Sequence, residues 1–593
     1  MLWLRESKRV IFDPGAIVNG STTTATDGTH YNEDKISTCD PEVLTLDERT
    51  RFKDFQDDFN PLKNGEVKRK LSSRHMTLMI LGQCIGTGLF VGLAAPLVYG
   101  GSLALFLGFV AYAVLMIWPL MQCVGEMCCY LPLRGAFVHF SARWVDPALG
   151  FAVSIMYFYT STMYICLEAV AFGGIIAYWK PDINSSVWIT LCLISYALLN
   201  VWGVNWYGEI EFYSSLAKVL LIIGLMLFSL ISMCGGNPKG EAYGFSNWPK
   251  GGLVKEYLAT GAWGRLSAFW MVMIYAALSC GGPDLLAICA GEARRPRHTI
   301  SLGARRTYIR IYLFYFGGIF FMNTLCASNN KDLLVSLSTS EGATASPWVI
   351  GIKSVGVHGL DSMINAVILS SAWSCGNGFF YGSTRTAYSA SLAGYLPRIF
   401  SKCLSNGTPI TAVILVFCLS GLSYLAVGYS SFTVFQWFIN LSSTGILCTY
   451  LCIWICFFRF RAAMKAQGKD IDSPDYPYFK APWFVHPFMS YFGCFFNAAV
   501  LFFNGYWIFL PGQFSVTNLF TTYFSTVLFV VLYFSWKFIR GTSFKSSTEA
   551  DITTGKAAID FQEELEIEED RKAKENLGKR WKYGYKVYDF LFT

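Results

Sequence analysis

Charge is what this sequence has least of. Only 15% of its 593 residues are Asp, Glu, Lys or Arg, where a soluble protein carries about a quarter. That excludes a set of ordinary soluble domains. Histidine is scarce too, with six scattered copies, and no zinc-protease pattern, P-loop or nucleophile elbow occurs. The stretch "GTGLFVG" is close to a dinucleotide-binding glycine fingerprint, but that signal needs a preceding strand and a βαβ unit, and its flanks here are apolar runs. No enzyme activity, cofactor or nucleic-acid partner is expected. Eighteen cysteines lie mostly inside apolar segments. Cys448, Cys452 and Cys456 repeat at helical spacing without a nearby histidine or carboxylate, so they read as small, polarisable helix lining. Neither a metal site nor a disulfide framework is expected.

What is present is hydrophobicity, in 53% of residues, with a mean hydropathy of +0.39. Between about residues 76 and 540 one apolar run follows another. Runs of about twenty residues span a bilayer as helices. About twelve are predicted, at 76–98, 103–124, 149–179, 187–206, 213–235, 266–291, 308–327, 361–391, 409–428, 432–458, 485–510 and 517–539. The chain is therefore read as an all-α polytopic membrane protein.

Basic residues set the orientation. The link "EARRPRHTISLGARRTYIR" holds six arginines, and Arg459, Arg461, Lys465, Lys469 and Lys480 follow the tenth run. Short basic loops stay cytoplasmic, so both termini should lie inside, as an even number of spans also requires. Residues 1–70 read as a largely disordered cytoplasmic region, residues 71–541 as the membrane domain, and residues 542–593 as a cytoplasmic tail. Within the tail, "DFQEELEIEEDRKAKE" is open to two readings, a short solvated helix or a flexible segment, and composition favours the second.

Two spans are broken where a membrane helix should be strongest. "HMTLMILGQCIGTGLFVGLAAPLV" carries Gly82, Gly86, Gly88 and Gly92, and "LSAFWMVMIYAALSCGGPDLLAICAGE" carries Ser279-Cys280-Gly281-Gly282-Pro283. Glycine permits non-helical torsions and proline removes a donor. The breaks lie almost five spans apart, each in the first helix of a set of five. This is the pattern of a five-plus-five inverted-repeat transporter with discontinuous helices 1 and 6 and a midplane site. The plainer alternative is that the glycines only allow close helix packing.

Several stretches carry a family resemblance: "RHMTLMILGQCIGTGLFVG", "GEMCCYLPLRGAFVHFSARWVDPALGFA", "YGEIEFYSSLAKV", "AGEARRPRHTI", "SPWVIGIKSVGV" and "STRTAYSASLAGYLPRIF". Spread through residues 74–465, they resemble a fungal amino acid permease of the amino acid–polyamine–organocation superfamily. The resemblance implies proton-driven uptake across the plasma membrane, with substrate, proton and lipid as partners. Unwinding at Ile85, Gly86, Thr87 and Gly88 would free N–H groups at the positive start of a half-helix for a substrate carboxylate. Carbonyls around Ser279, Cys280, Gly281 and Gly282 would receive its ammonium group.

Ionisable residues inside spans are costly in lipid. By resemblance, the ammonium of Lys218 replaces the sodium ion of sodium-coupled relatives; the alternative is snorkelling, a turn and a half inside the fifth run. Glu168 matches a family glutamate and either carries the proton or is a hydrogen-bonded structural carboxyl. Asp284 stands where relatives usually have glutamate, beside the unusual Pro283. Glu126 and Glu292 are expected to pair with loop arginines such as Arg143 or Arg294, as cytoplasmic gate or packing residues.

The sixth-span break, Leu278-Ser279-Cys280-Gly281, lacks the aromatic that relatives place there. A roomier pocket keeps polyamines and carnitine-like amines open as substrates, with Tyr159, Tyr164 and Trp373 as cation–π partners or as core. A second alternative is a non-transporting sensor of the same fold, against which the short N-terminal region counts. Of four glycosylation sequons, only Asn184 falls in an external link; Asn19 and Asn406 fall on the cytoplasmic side and Asn440 within a span.

Overall fold

The computed structural model describes residues 82–575, apart from positions 134, 203, 282–283, 289, 291–294, 339–345, 358, 405–406, 430, 474–475 and 511. Helices account for all regular structure among the described residues, as expected of segments that must bond their own backbone without water. In chain order the main helices are α1 (Thr87–Gly100), α2 (Ser102–Tyr130), α3 (Pro147–Ile176), α4 (Ser185–Trp202), α5 (Val204–Met233), α6 (Gly261–Ser279), α7 (Leu285–Ile288) and α8 (Pro296–Leu325). There follow α9 (Leu360–Leu392), α10 (Ile410–Gly428), α11 (Ser431–Ala466), α12 (Val485–Phe509), α13 (Val516–Arg540) and α14 (Lys556–Glu575). Among the described residues, eight helices are long and apolar enough to cross a membrane. Thr87–Gly100 and Tyr312–Leu325 are shorter apolar helices.

The centre of the bundle is α3, buried along most of its length against α9 and α11. Its start is fixed locally. Asp146 caps it by accepting from the Ala148 N–H at 2.9 Å, and Pro147 occupies the first turn. The same carboxylate takes Lys537 from the end of α13 at 2.6 Å. Close approach is made possible by Gly445 on α11, where a Cβ would stand 2.2 Å from Thr160 Oγ1. In α2 a π-helical turn at Ala113–Ile117 precedes Pro119, which lacks the N–H that an α-helix needs there. Peripheral helices turn apolar side chains outward, such as Leu220, Leu227 and Ile231 on α5 and Phe534 and Phe538 on α13, a surface suited to hydrocarbon.

Two expectations change. The fifth apolar run begins near residue 213 in the sequence, but the helix that carries it, α5, begins at Val204. Lys218 lies midway along that helix, buried, and donates to Gly82 O at 2.6 Å, so its ammonium turns into the bundle and does not snorkel. The tail, favoured as flexible, contains a helix whose acidic face lies on a basic end of the bundle. Arg297 pairs with Glu563 at 2.8 Å and with Asp560, and Arg295 with Asp570 at 3.3 Å. Just ahead of the helix, Arg143 holds Asp551 at 2.7 Å. Composition alone shows an acidic stretch; the arginines that order it are distant in sequence.

Candidate functional site

The first break has defined geometry. The chain leaves the helical conformation at Ile85–Gly86, with Gly86 at φ −98° and ψ −153°, and becomes helical again at Thr87. Glycine is required by close approach. A Cβ on Gly86 would stand 2.6 Å from Cys375 Sγ and 2.8 Å from Glu168 Oε1. One on Gly88 would stand 2.9 Å from Ser279 Cα, at the opposite break. There α6 ends at Ser279, Cys280 and Gly281 leave the helix, and α7 starts at Leu285. Gly282 lies outside the described residues.

Breaking a helix in an apolar interior exposes carbonyls that must find donors. Four in succession do so from neighbouring helices. Lys218 Nζ donates to Gly82 O at 2.6 Å, Cys375 Sγ to Gln83 O at 3.3 Å, Tyr315 Oη to Cys84 O at 2.6 Å and Ser371 Oγ to Ile85 O at 3.0 Å. At the second break, Tyr164 Oη donates to Leu278 O at 3.3 Å, and Tyr315 Oη also reaches Ser279 O. The Tyr315 hydroxyl thus lies between the two breaks. It has one proton, so it serves one carbonyl at a time.

On the donor side, the Thr87 N–H and hydroxyl both point to Glu168 Oε1, at 3.4 and 3.1 Å. Asp284 accepts from Tyr450 Oη at 3.1 Å. Lys218, Glu168 and Asp284 are all buried. Only Glu168 of the three lines the cavity between the breaks, a space of about 20 Å³, room for one water molecule. Glu168 Oε2, Ser279 Oγ and both amide atoms of Gln83 have no hydrogen-bond partner among the described residues.

The aromatic groups missing from the sixth-span break come from elsewhere. Tyr164 on α3 stacks on Phe379 of α9 with ring centroids 4.3 Å apart, and Phe435 of α11 completes the wall. Tyr159 and Trp373 do not line this cavity; Trp373 donates to Ser195 Oγ at 2.7 Å.

The remaining candidates lie at the basic end. Glu126 is held by Arg461, through two contacts of 2.8 Å, and by the Ala481 N–H at 3.1 Å. Its partner is thus Arg461 and not Arg143, which holds Asp551. Glu292 and Arg294 lie outside the described residues. No group of three or more potential metal ligands occurs among those described.

Sequence reasoning missed Tyr315 and Glu211. Glu211, buried on α5, accepts from Ser374 Oγ at 2.5 Å and lies against Gly82. A signal for the partner of Glu211 was present: Ser374 shares one helix face with Ser371 and Cys375, a polar stripe along the eighth apolar run. Nothing comparable marks Tyr315.

Comparison with known proteins meets this geometry. The amino acid permease family profile matches residues 75–548. The chain is 36% identical to a proline-specific permease of Emericella nidulans, over 83% of this chain and 89% of that one. It is 35% identical to a probable proline-specific permease of Schizosaccharomyces pombe, over 81% and 87%. A dicarboxylic amino acid permease of Saccharomyces cerevisiae is 32% identical over 89% and 86%. With nearly the whole bundle covered by the family profile, the chain belongs to the amino acid permease family of multi-pass membrane proteins.

Proposed function

We propose that the protein is a secondary transporter that takes up amino acids with protons across the plasma membrane by alternating access. In this reading it has twelve spans in a five-plus-five inverted repeat plus two, with both termini in the cytoplasm. The observation that carries it is the break at Ile85–Gly86. The carbonyls from Gly82 to Ile85 are held by neighbouring helices, and the Thr87 N–H faces a cavity shared with the second break. A backbone stabilised in this form at such cost fits a binding site better than a packing contact. The Thr87–Gly88 donors would hold the substrate carboxylate, and the Ser279–Gly281 segment its ammonium group.

Lys218 supports coupling without sodium, because its ammonium already holds the Gly82 carbonyl that a metal ion would otherwise bind. Glu168 and Asp284 are the carboxyls nearest the two breaks, and Glu126 with Arg461 is assigned to closing the basic end. As to substrate, no lysine or arginine among the described residues lines the cavity. That suits a neutral amino acid better than a dicarboxylic one, whose second carboxylate would be buried unpaired; two of the three relatives above are named for proline.

An amine without a carboxylate is the second reading. The buried, half-unpaired Glu168 carboxylate among three aromatic rings favours it. The test is uptake by cells expressing the protein of labelled proline, alanine, lysine, aspartate, spermidine and carnitine, at two pH values, with sodium replaced by N-methylglucamine. Accumulation of a neutral amino acid that rises in acid and persists without sodium is expected. An absolute sodium requirement would contradict the role given to Lys218, and binding without uptake would indicate a sensor.

A further inference from the structure

Glu168 occupies the place where the substrate carboxylate should bind. Its Oε1 takes both the backbone N–H and the hydroxyl of Thr87, and it stands within 2.8 Å of where a Gly86 Cβ would be. These donors exist because the helix is broken there, and they are few. Two carboxylates cannot share them: like charges a few ångströms apart in a buried site repel strongly. We propose that Glu168 is an internal stand-in for the substrate carboxylate, so that an amino acid binds only once Glu168 has taken a proton and released Thr87. The inference rests on the amino acid reading above and says how proton and substrate are linked at that site.

The groups that face Glu168 fit this exchange. From α5 comes Lys218, with Glu211 acting on that lysine, from α9 Cys375, from α4 Cys192 and Tyr196, and from its own helix Tyr164. Of these, the one cation is Lys218, and its Nζ donates to Gly82 O, not to Glu168. No ion pair to Glu168 occurs among the described residues, so what opposes neutralisation of the carboxylate is its hydrogen bonds, chiefly those of Thr87, and the more distant charge of Lys218. The second oxygen, Oε2, has no hydrogen-bond partner among the described residues and is the natural place for the proton. Charge balances: one negative carboxylate leaves the Thr87 donors as a neutral acid, and the substrate's carboxylate replaces it. When the substrate leaves, the Thr87 donors recapture Glu168 and favour its loss of the proton on that side. An amine without a carboxylate does not compete for Thr87 and needs no such proton.

The test is equilibrium binding to purified full-length protein in lipid nanodiscs, with labelled L-proline, L-alanine, L-lysine and L-aspartate between pH 5 and 8. Pyrrolidine, which is proline without its carboxylate, serves as competitor. In the wild type the Kd of the bound amino acid should rise about tenfold per pH unit above the midpoint, the mark of one linked proton. Glu168→Gln, which cannot ionise, should bind with a flat pH profile at about the wild-type acid-limit affinity. Pyrrolidine should show no weakening with rising pH. Because Glu168→Gln could disturb the bundle, Thr87→Val supplies a second reading. Losing one donor to the carboxylate favours the proton, so the midpoint should move to higher pH with the slope retained. A wild-type slope retained in Glu168→Gln, or no slope in the wild type, overturns the stand-in role while leaving amino acid transport intact. Failure of all four amino acids to bind at any pH overturns the transport reading itself, and this inference with it.

Discussion

At the scale of single residues, this protein is governed by how closely two interrupted backbones approach. Gly88 meets Ser279 with no room for a Cβ, which would stand 2.9 Å from a backbone carbon that has nowhere to move. Gly88→Leu should therefore abolish uptake, through a site filled by the added side chain. Gly421 has nothing within 4 Å of its Cβ position and ordinary torsions at φ −57°, so Gly421→Leu should keep most activity. Uptake by both variants, normalised to surface protein, checks this; equal activity would remove Gly88 from the site. These glycines were legible in the sequence because they interrupt an apolar run. Tyr315 was not, since a tyrosine in a span looks like any other aromatic until its hydroxyl is seen between Cys84 O and Ser279 O.

At the scale of elements, the clearest case is the helix at the end of the chain. A twenty-residue polar helix alone in water is marginal, and α14 is ordered by what it touches. Arg297 reaches Asp560 and Glu563, its guanidinium lies 4.8 Å from the Tyr478 ring centre, and Lys556 reaches both Tyr478 and Asp560. Glu563 is almost fully buried against Arg297, which makes this pair worth more than an exposed one. Arg297→Ala should loosen the helix, giving about tenfold faster amide exchange across 556–575, as expected for losing one or two charge-assisted hydrogen bonds. Exchange in α3 should not change. Unaltered exchange in α14 would show that other contacts suffice. The sequence showed the acidic stretch and the six-arginine link separately; that they form one interface is decided by the fold.

At the scale of the whole molecule, orientation ties the basic loops to one side of the membrane. Arg143, Arg295, Arg297 and Arg461 do gather at one end of the bundle, around α14 and Glu126. In the proposed orientation, which follows the rule that basic loops stay inside, that end faces the cytoplasm. Asn184 then lies in an external link, exposed, with its side chain accepting from Ser186 N at 2.9 Å. Asn19 and Asn406 should never carry glycans, and Asn184 is the one sequon available to the glycosylating machinery. Glycosidase shift assays on single-sequon variants check this. Sugar on Asn19 or Asn406 would reverse the topology.

The sequence by itself determined the solvent of this protein. Scarce charge and repeated apolar runs leave helices as the available structure, and two runs interrupted by glycine mark where the helices yield. Hydropathy and glycine placement are local properties, so they can be read along the chain. Only the tertiary structure decided what satisfies the broken backbone. The donors to Gly82, Gln83, Cys84 and Ile85 come from three helices, α5, α8 and α9, and the carboxylate held by Thr87 comes from a fourth, α3. No spacing rule links positions so far apart in sequence. It also moved Lys218 from near a helix end to the middle of one, because the polar residues that begin α5 gave no apolar signal. A helix in a protein interior is set by its hydrogen bonds, which polar residues extend as readily as apolar ones, and those bonds are written in three dimensions.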